Sequence, residues 1–131
     1  MKLLVQASDF GFTRASVYGV IDSIELGLVR NVGLFTNMPV SQWAVDMIQS
    51  RPQVCLGMDF NLTSGPCVSN PHDVFHLVDE SGNFIRSPVR VKDPRFMTRS
   101  GREAMFPYEE CRIEVEVQYR RFVELTGRKP A

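Results

Sequence analysis

The sequence predicts an α/β fold with parallel strands, on three observations. From Leu3 to Phe60, short apolar runs alternate with segments of helical periodicity. The connections between them are short, and Gly27, Pro39 and Pro52 stand where one element must give way to the next. Strand–helix alternation of this kind builds right-handed βαβ units around a parallel sheet.

Residues 2–7, carrying the run Leu3-Leu4-Val5, read as a buried first strand. Thr13 is the expected N-cap of a first helix with Val17, Val20, Ile21, Ile24 and Leu28 at helical spacing and Gly27 as its stop. Val32 to Thr36 gives a second strand that ends at Asn37-Met38-Pro39. Ser41 is expected to cap a second helix that buries Ala44, Val45 and Ile48 and halts before Pro52. Val54 to Phe60 is the third strand. The rhythm then fails over residues 64–107, an irregular insert punctuated by Pro66, Pro71, Pro88, Pro94 and Pro107 and expected to be a lid or substrate loop. Within it, Leu77 to Ile85 reads as a small hairpin or turn. Tyr108 to Leu125 is an amphipathic helix with Cys111, Val115, Tyr119, Phe122 and Leu125 on one face and Gly127 as C-cap.

At 131 residues and 44% hydrophobic, the chain fits a single domain, 1–131, with a core of its own. Fifteen basic and 15 acidic side chains cancel, so no global field points to nucleic acid or to a membrane surface. Residues 86–102 hold six basic side chains against Asp93 alone, a local pattern that could bind anions or RNA, although a solvated loop is the commoner use of such a segment. The three cysteines share no close spacing, which fits a reducing cytoplasm rather than a disulfide framework. No apolar stretch approaches the ~18 residues of a membrane span, and no leader is expected. The sequon Asn61-Leu62-Thr63 is therefore expected to go unused.

The chemistry is expected at the C-terminal ends of the strands, where α/β folds hold ligands. Asp9, in Ser8-Asp9-Phe10-Gly11, and Asp59, in Gly57-Met58-Asp59-Phe60, would bring two carboxylates to one sheet edge. Phe10 and Phe12 are expected to wall that site. Asp9 could equally be an Asx-turn or capping residue, and Asp59 a polar residue in strand alternation. His72 and His76 are spaced for one helix face, although their Pro-rich setting favours two surface histidines. Trp43 is read as packing on the core rather than on a sugar ring, and Cys55 as a core residue. Two carboxylates alone leave an ion mostly hydrated, and an all-oxygen set favours Mg²⁺, Ca²⁺ or Mn²⁺ over Zn²⁺.

Five segments in order carry a resemblance: Ala7-Ser8-Asp9-Phe10-Gly11, Asn37-Met38-Pro39, Leu56 to Gly65, Leu77 to Phe84, and Gln118 to Pro130. Together they make the chain resemble the YdjC/ChbG/HpnK carbohydrate deacetylases along essentially its whole length. The resemblance implies the N-terminal portion of a distorted, TIM-type (β/α) barrel similar to polysaccharide deacetylases, truncated at its C-terminal side. It implies removal of an N-acetyl group from a small amino-sugar oligosaccharide, with a divalent metal, Mg²⁺ favoured and Zn²⁺ or Mn²⁺ open. Asp9 matches a metal ligand, Ser8 falls where the family carries its base aspartate, and Asp59 falls on a metal-binding histidine. Asn61 and Thr63 are implied to orient substrate. The family's His-rich strand would follow directly after Pro130. Ser8 has no pKa near neutrality with which to act as a base. The competing expectation is a degenerate relative that binds a sugar or an ion, or only self-associates, a homodimer included, through an unpaired sheet edge.

Overall fold

The structure is a computed structural model and describes residues 3–131; Lys2, the start of the expected first strand, lies outside the described residues. It divides into two compact units, one built from the chain up to Phe60 together with Tyr119–Ala131, the other from Asn61–Gln118.

In the first unit the alternation appears as β1 (Gln6–Phe10), α1 (Arg14–Glu25), β2 (Asn31–Leu34), α2 (Ser41–Ile48) and β3 (Cys55–Met58). The three strands pair in parallel in the order β1-β2-β3, as the alternation predicts. Val32, Leu34 and Leu56 enter a core with Val17, Val20, Ile21 and Ile24 of α1 and with Ala44, Val45 and Ile48 of α2. The alternate strand positions carry Asn31, Gly33, Cys55 and Gly57, small or polar residues that leave the other sheet face thinly covered. Cys55 is exposed there, which corrects its expected core place: strand alternation puts Leu56, not Cys55, on the core side.

Two local expectations shift for similar reasons. Leu3, Leu4 and Val5 are exposed, because pairing with β2 begins only at Gln6 opposite Asn31. Leu28 is exposed and Val29 is buried in its place, since α1 has ended and Gly27 turns the chain at φ 79°. Thr13 caps α1 as predicted: its hydroxyl accepts the Ser16 N–H at 3.1 Å while the Ser16 hydroxyl accepts the Thr13 N–H at 3.0 Å. Ser41 does not cap α2. It is the first helical residue, after Val40, and its Oγ accepts the Met38 N–H at 3.1 Å, fastening the preceding turn instead.

The second unit gives the expected irregular insert a fold of its own. It comprises short 3₁₀ turns (Pro71–Asp73 and Pro94–Met97), α3 (Ser87–Arg90), α4 (Arg99–Met105) and the first part of α5 (Tyr108–Thr126), and its apolar cluster is Val74, Leu77, Val78 and Phe84, with Leu62, Phe106, Cys111 and Ile113 packed against it. The predicted turn is present: Val78 and Phe84 bridge antiparallel, and Asp79 Oδ1 accepts the N–H groups of Ser81 and Asn83 across Gly82 at φ 75°. Arg90, 3% exposed, is the hub of this unit. Its guanidinium donates to the carbonyls of Ile85, His76, Leu77 and Met105 and lies 4.3 Å from the Phe106 ring centroid. Burial pulls its proton affinity below the ordinary guanidinium value. Arg95 pairs with Asp93, Arg99 with Glu103, and Arg102 donates to the Phe96 carbonyl. Four of the six basic residues of 86–102 are thus engaged within the unit.

Helix α5 runs where the periodicity places it but turns a different face inward. Glu110, Glu114 and Gln118 are buried, while Tyr119 is 37% exposed and Cys111 and Val115 are half-buried. Phe122 and Leu125 continue the buried stripe as expected.

Candidate active site

Asp9 sits where β1 loses register with β2. Ala7 faces Val32 and Phe10 faces Leu34, so Ser8 and Asp9 together stand opposite Gly33 in a bulge. Asp9 is the only non-glycine among the described residues with positive φ, 59°. Asp tolerates that left-handed region better than most residues, yet it costs on the order of 1 kcal/mol or more. The strain is accompanied by a full set of backbone bonds. The Asp9 N–H donates to Asp59 Oδ2 at 3.2 Å, and the Asp9 carbonyl accepts the Phe12 N–H and the Ser16 hydroxyl, each at 3.1 Å. The bulge turns Phe10 into the core, where it is fully buried, so it does not wall the site as expected. Phe12 is partly exposed and packs edge-on against Phe35, with centroids 5.9 Å apart.

Asp59 follows β3 directly, and its own N–H donates to the Leu34 carbonyl at 3.0 Å, extending the parallel ladder by one rung. Its carboxylate lies over Gly33, so close that a Cβ there would overlap it. A glycine in the central strand is thus the condition for Asp59 to reach Asp9. The two carboxylate-bearing residues that the sequence places on one edge therefore meet, through a side chain and a backbone N–H. Ser8 is exposed beside them. Thr36, two residues past β2, is 4% exposed, and its hydroxyl has no hydrogen-bond partner among the described residues. In the sequence it is the last residue of the expected second strand, just before Asn37-Met38-Pro39.

Asn61 and Thr63 lie in the second unit, in a tightly bonded turn. Asn61 Oδ1 accepts the N–H groups of Thr63 and Ser64, both at 3.1 Å, and its Nδ2 donates to the Ser64 carbonyl at 2.8 Å. Gln118 holds the same residue from α5, its Oε1 accepting the Asn61 N–H at 3.1 Å and its Nε2 donating to the Asn61 carbonyl at 2.6 Å. Glu114 accepts from the N–H groups of Val68 and Ser69, from the Ser69 hydroxyl and from Gln118 Nε2. Helical periodicity alone does not single out Glu114 as a buried acceptor. His76 pairs its Nδ1 with Glu110 Oε1 at 2.5 Å, and its backbone N–H donates to Glu110 Oε2 at 2.9 Å. Of the cysteines, Cys67 and Cys111 have thiols pushed up by burial and, secondarily, by Glu114 and Glu110 respectively, which argues against nucleophilic use. Trp43 is partly buried against the core, edge-on to Tyr18 at 5.4 Å.

A divalent metal is only partly matched by the side chains present. No group of three His, Cys, Asp or Glu residues that could hold an ion occurs among the described residues. Asp9 and Asp59 form a hard, oxygen-only pair, and one Asp59 oxygen already accepts the Asp9 N–H. Further ligands would have to come from outside these residues. No helix among the described residues is long and apolar enough to cross a membrane.

The fold is that of an α/β protein with parallel strands, with a bulged, strained aspartate at the end of β1 and a second carboxylate leaving β3. The chain belongs to the YdjC-like protein family, whose model matches residues 2–131. It is 37% identical over 133 aligned positions to carbohydrate deacetylase 2 of Listeria innocua serovar 6a, an alignment covering 100% of this chain and 48% of that protein. A carbohydrate deacetylase of Halalkalibacterium halodurans is 34% identical over 87 positions, 61% of this chain and 37% of the relative. The chain thus spans half or less of the length of these curated relatives. A crystal structure from Enterococcus faecalis V583, described as a cellobiose-phosphate cleavage protein, superposes with a TM-score of 0.81 at 26% identity, covering 97% of this chain and 45% of that one.

Proposed function

We propose that this chain is part of a carbohydrate deacetylase acting on the N-acetyl group of a small amino-sugar oligosaccharide. The observation that carries the reading is the hydrogen-bonded Asp9–Asp59 pair at the strand edge, in a chain 37% identical over its full length to a carbohydrate deacetylase. Asp9 and Asp59 supply two oxygen ligands to a divalent cation, Mg²⁺ favoured on the hardness of the set, with the remaining ligands supplied from beyond these side chains. Such a cation, when bound, polarises an acetyl carbonyl and makes a bound water more acidic. Within this chain, Asp9 is held with its backbone saturated and its carboxylate left for the ligand, and the unpartnered Thr36 hydroxyl is a further polar group near the end of β2. Ser8 offers no proton acceptor of carboxylate strength, so the base is not at that position.

The test is acetate release from N,N′-diacetylchitobiose by the protein encoded by the whole gene, with and without Mg²⁺, Mn²⁺ or Zn²⁺. Metal-dependent release is expected, with Asp9→Asn lowering it by at least about a hundredfold. Absence of acetate with all three metals would reject the reading. A second reading, a non-catalytic relative that binds a sugar or an ion, is favoured by Ser8, which cannot serve as a base. Saturable binding of the same disaccharide without acetate release would select it.

A further inference from the structure

We propose that Asp59 acts as a positioning residue for Asp9, its carboxylate holding the left-handed bulge of β1 from across Gly33, whatever the protein's substrate. Three observations converge on this. Asp9 adopts φ 59° with no glycine to ease it. Its N–H, freed from the sheet ladder by the bulge, is accepted by Asp59 Oδ2 at 3.2 Å. Asp59 can stand there only because Gly33 has no side chain, since a Cβ at that position would overlap the carboxylate.

A carboxylate oxygen offers the Asp9 N–H an acceptor that the bulged ladder does not. The Asp9 carbonyl is fastened separately, by the Phe12 N–H and the Ser16 hydroxyl. With both backbone groups engaged, the residue keeps its unusual conformation and its carboxylate is not consumed in holding it. The arrangement assigns Gly33, which no chemistry would single out, the task of leaving room. The inference goes beyond the deacetylase reading and does not rest on it, because the contact involves neither metal nor sugar.

Amide hydrogen exchange read by proton–nitrogen correlation NMR of the chain, without metal, tests it. Asp59→Ala should speed exchange of the Asp9 amide roughly tenfold, and Asp59→Asn, which keeps an acceptor oxygen, should restore part of the protection. Gly33→Ala should likewise speed it while α1 keeps its spectrum. Should Gly33→Ala fail to fold, the two Asp59 variants decide alone. An Asp9 amide that exchanges at the native rate in Asp59→Ala, or that Asp59→Asn protects no better than Asp59→Ala does, overturns the proposal. Deacetylase activity can be present or absent in either case.

Discussion

Glu114 has no exposed surface, yet it carries four hydrogen bonds: two from the N–H groups of Val68 and Ser69, one from the Ser69 hydroxyl and one from Gln118. A buried carboxylate is tolerated only when its acceptor sites are filled, and here they are. Truncating it strands several donors at once. Glu114→Ala is expected to cost about 3 kcal/mol of stability, with Glu114→Gln losing less because one carbonyl oxygen can still accept. Urea denaturation followed by circular dichroism measures it. An alanine variant within about 0.5 kcal/mol of the parent would show that water readily replaces the carboxylate. This residue also marks a limit of sequence reading. Amphipathic periodicity assigns the inner face of a helix to apolar positions and so selects Cys111, Val115 and Tyr119. Hydrogen bonding to chain segments about 45 residues away reverses the choice for Glu114, and nothing local signals it.

At the scale of elements, what the sequence made legible followed from local rules. Thr13 caps α1 because its partner Ser16 is three residues on, and Gly27 and Gly127, at φ 79° and 69°, end helices as glycine spacing suggests. The bulge in β1 was not legible, because it depends on a carboxylate arriving from β3. Charge alone does not fix the use of the arginine-rich segment, and local chemistry settles part of it. Asp93 caps the 3₁₀ turn Pro94–Met97, its Oδ1 accepting the Arg95 N–H at 2.9 Å while the Arg95 guanidinium pairs with both carboxylate oxygens. The hydrogen bonds from the Arg95 side chain, then from its backbone, hold the Asp93 carboxyl below its usual range. Its folded pKa therefore lies below the unfolded value. The cap is in force above the ordinary aspartate pKa, near 3.9, and is lost as pH falls through the lower, folded value. The Arg95 amide resonance should hold steady from neutral pH down past about pH 4 and move only below it. In Asp93→Asn that acid transition should disappear. A transition at or above the ordinary aspartate value would mean that the pair does not form in solution.

Across the whole molecule, stability is expected to be uneven, because apolar burial is. Among the described residues, fifteen buried ones make up the cluster around the parallel sheet, α1 and α2, whereas four, Val74, Leu77, Val78 and Phe84, make up the cluster of residues 61–118. That second unit relies instead on polar hubs, Arg90 on four carbonyls and Glu114 on backbone donors. Hydrogen bonds contribute roughly 1 kcal/mol each net of water, while a fully buried Leu or Phe contributes about 1.5–3 kcal/mol. Few apolar contacts and many single-bond anchors describe a region that opens below the global unfolding free energy. Native-state hydrogen exchange in low denaturant should then find the amides of Gly82 and Phe84, bonded to Asp79 and Gly65, opening at lower free energy than those of β2 and β3. Phe84→Ala should lower that local opening energy while leaving protection of Val32 and Leu34 largely unchanged. If Phe84→Ala instead lowers both by the same amount, the two clusters unfold as one cooperative unit, and residues 61–118 have no separate stability to lose.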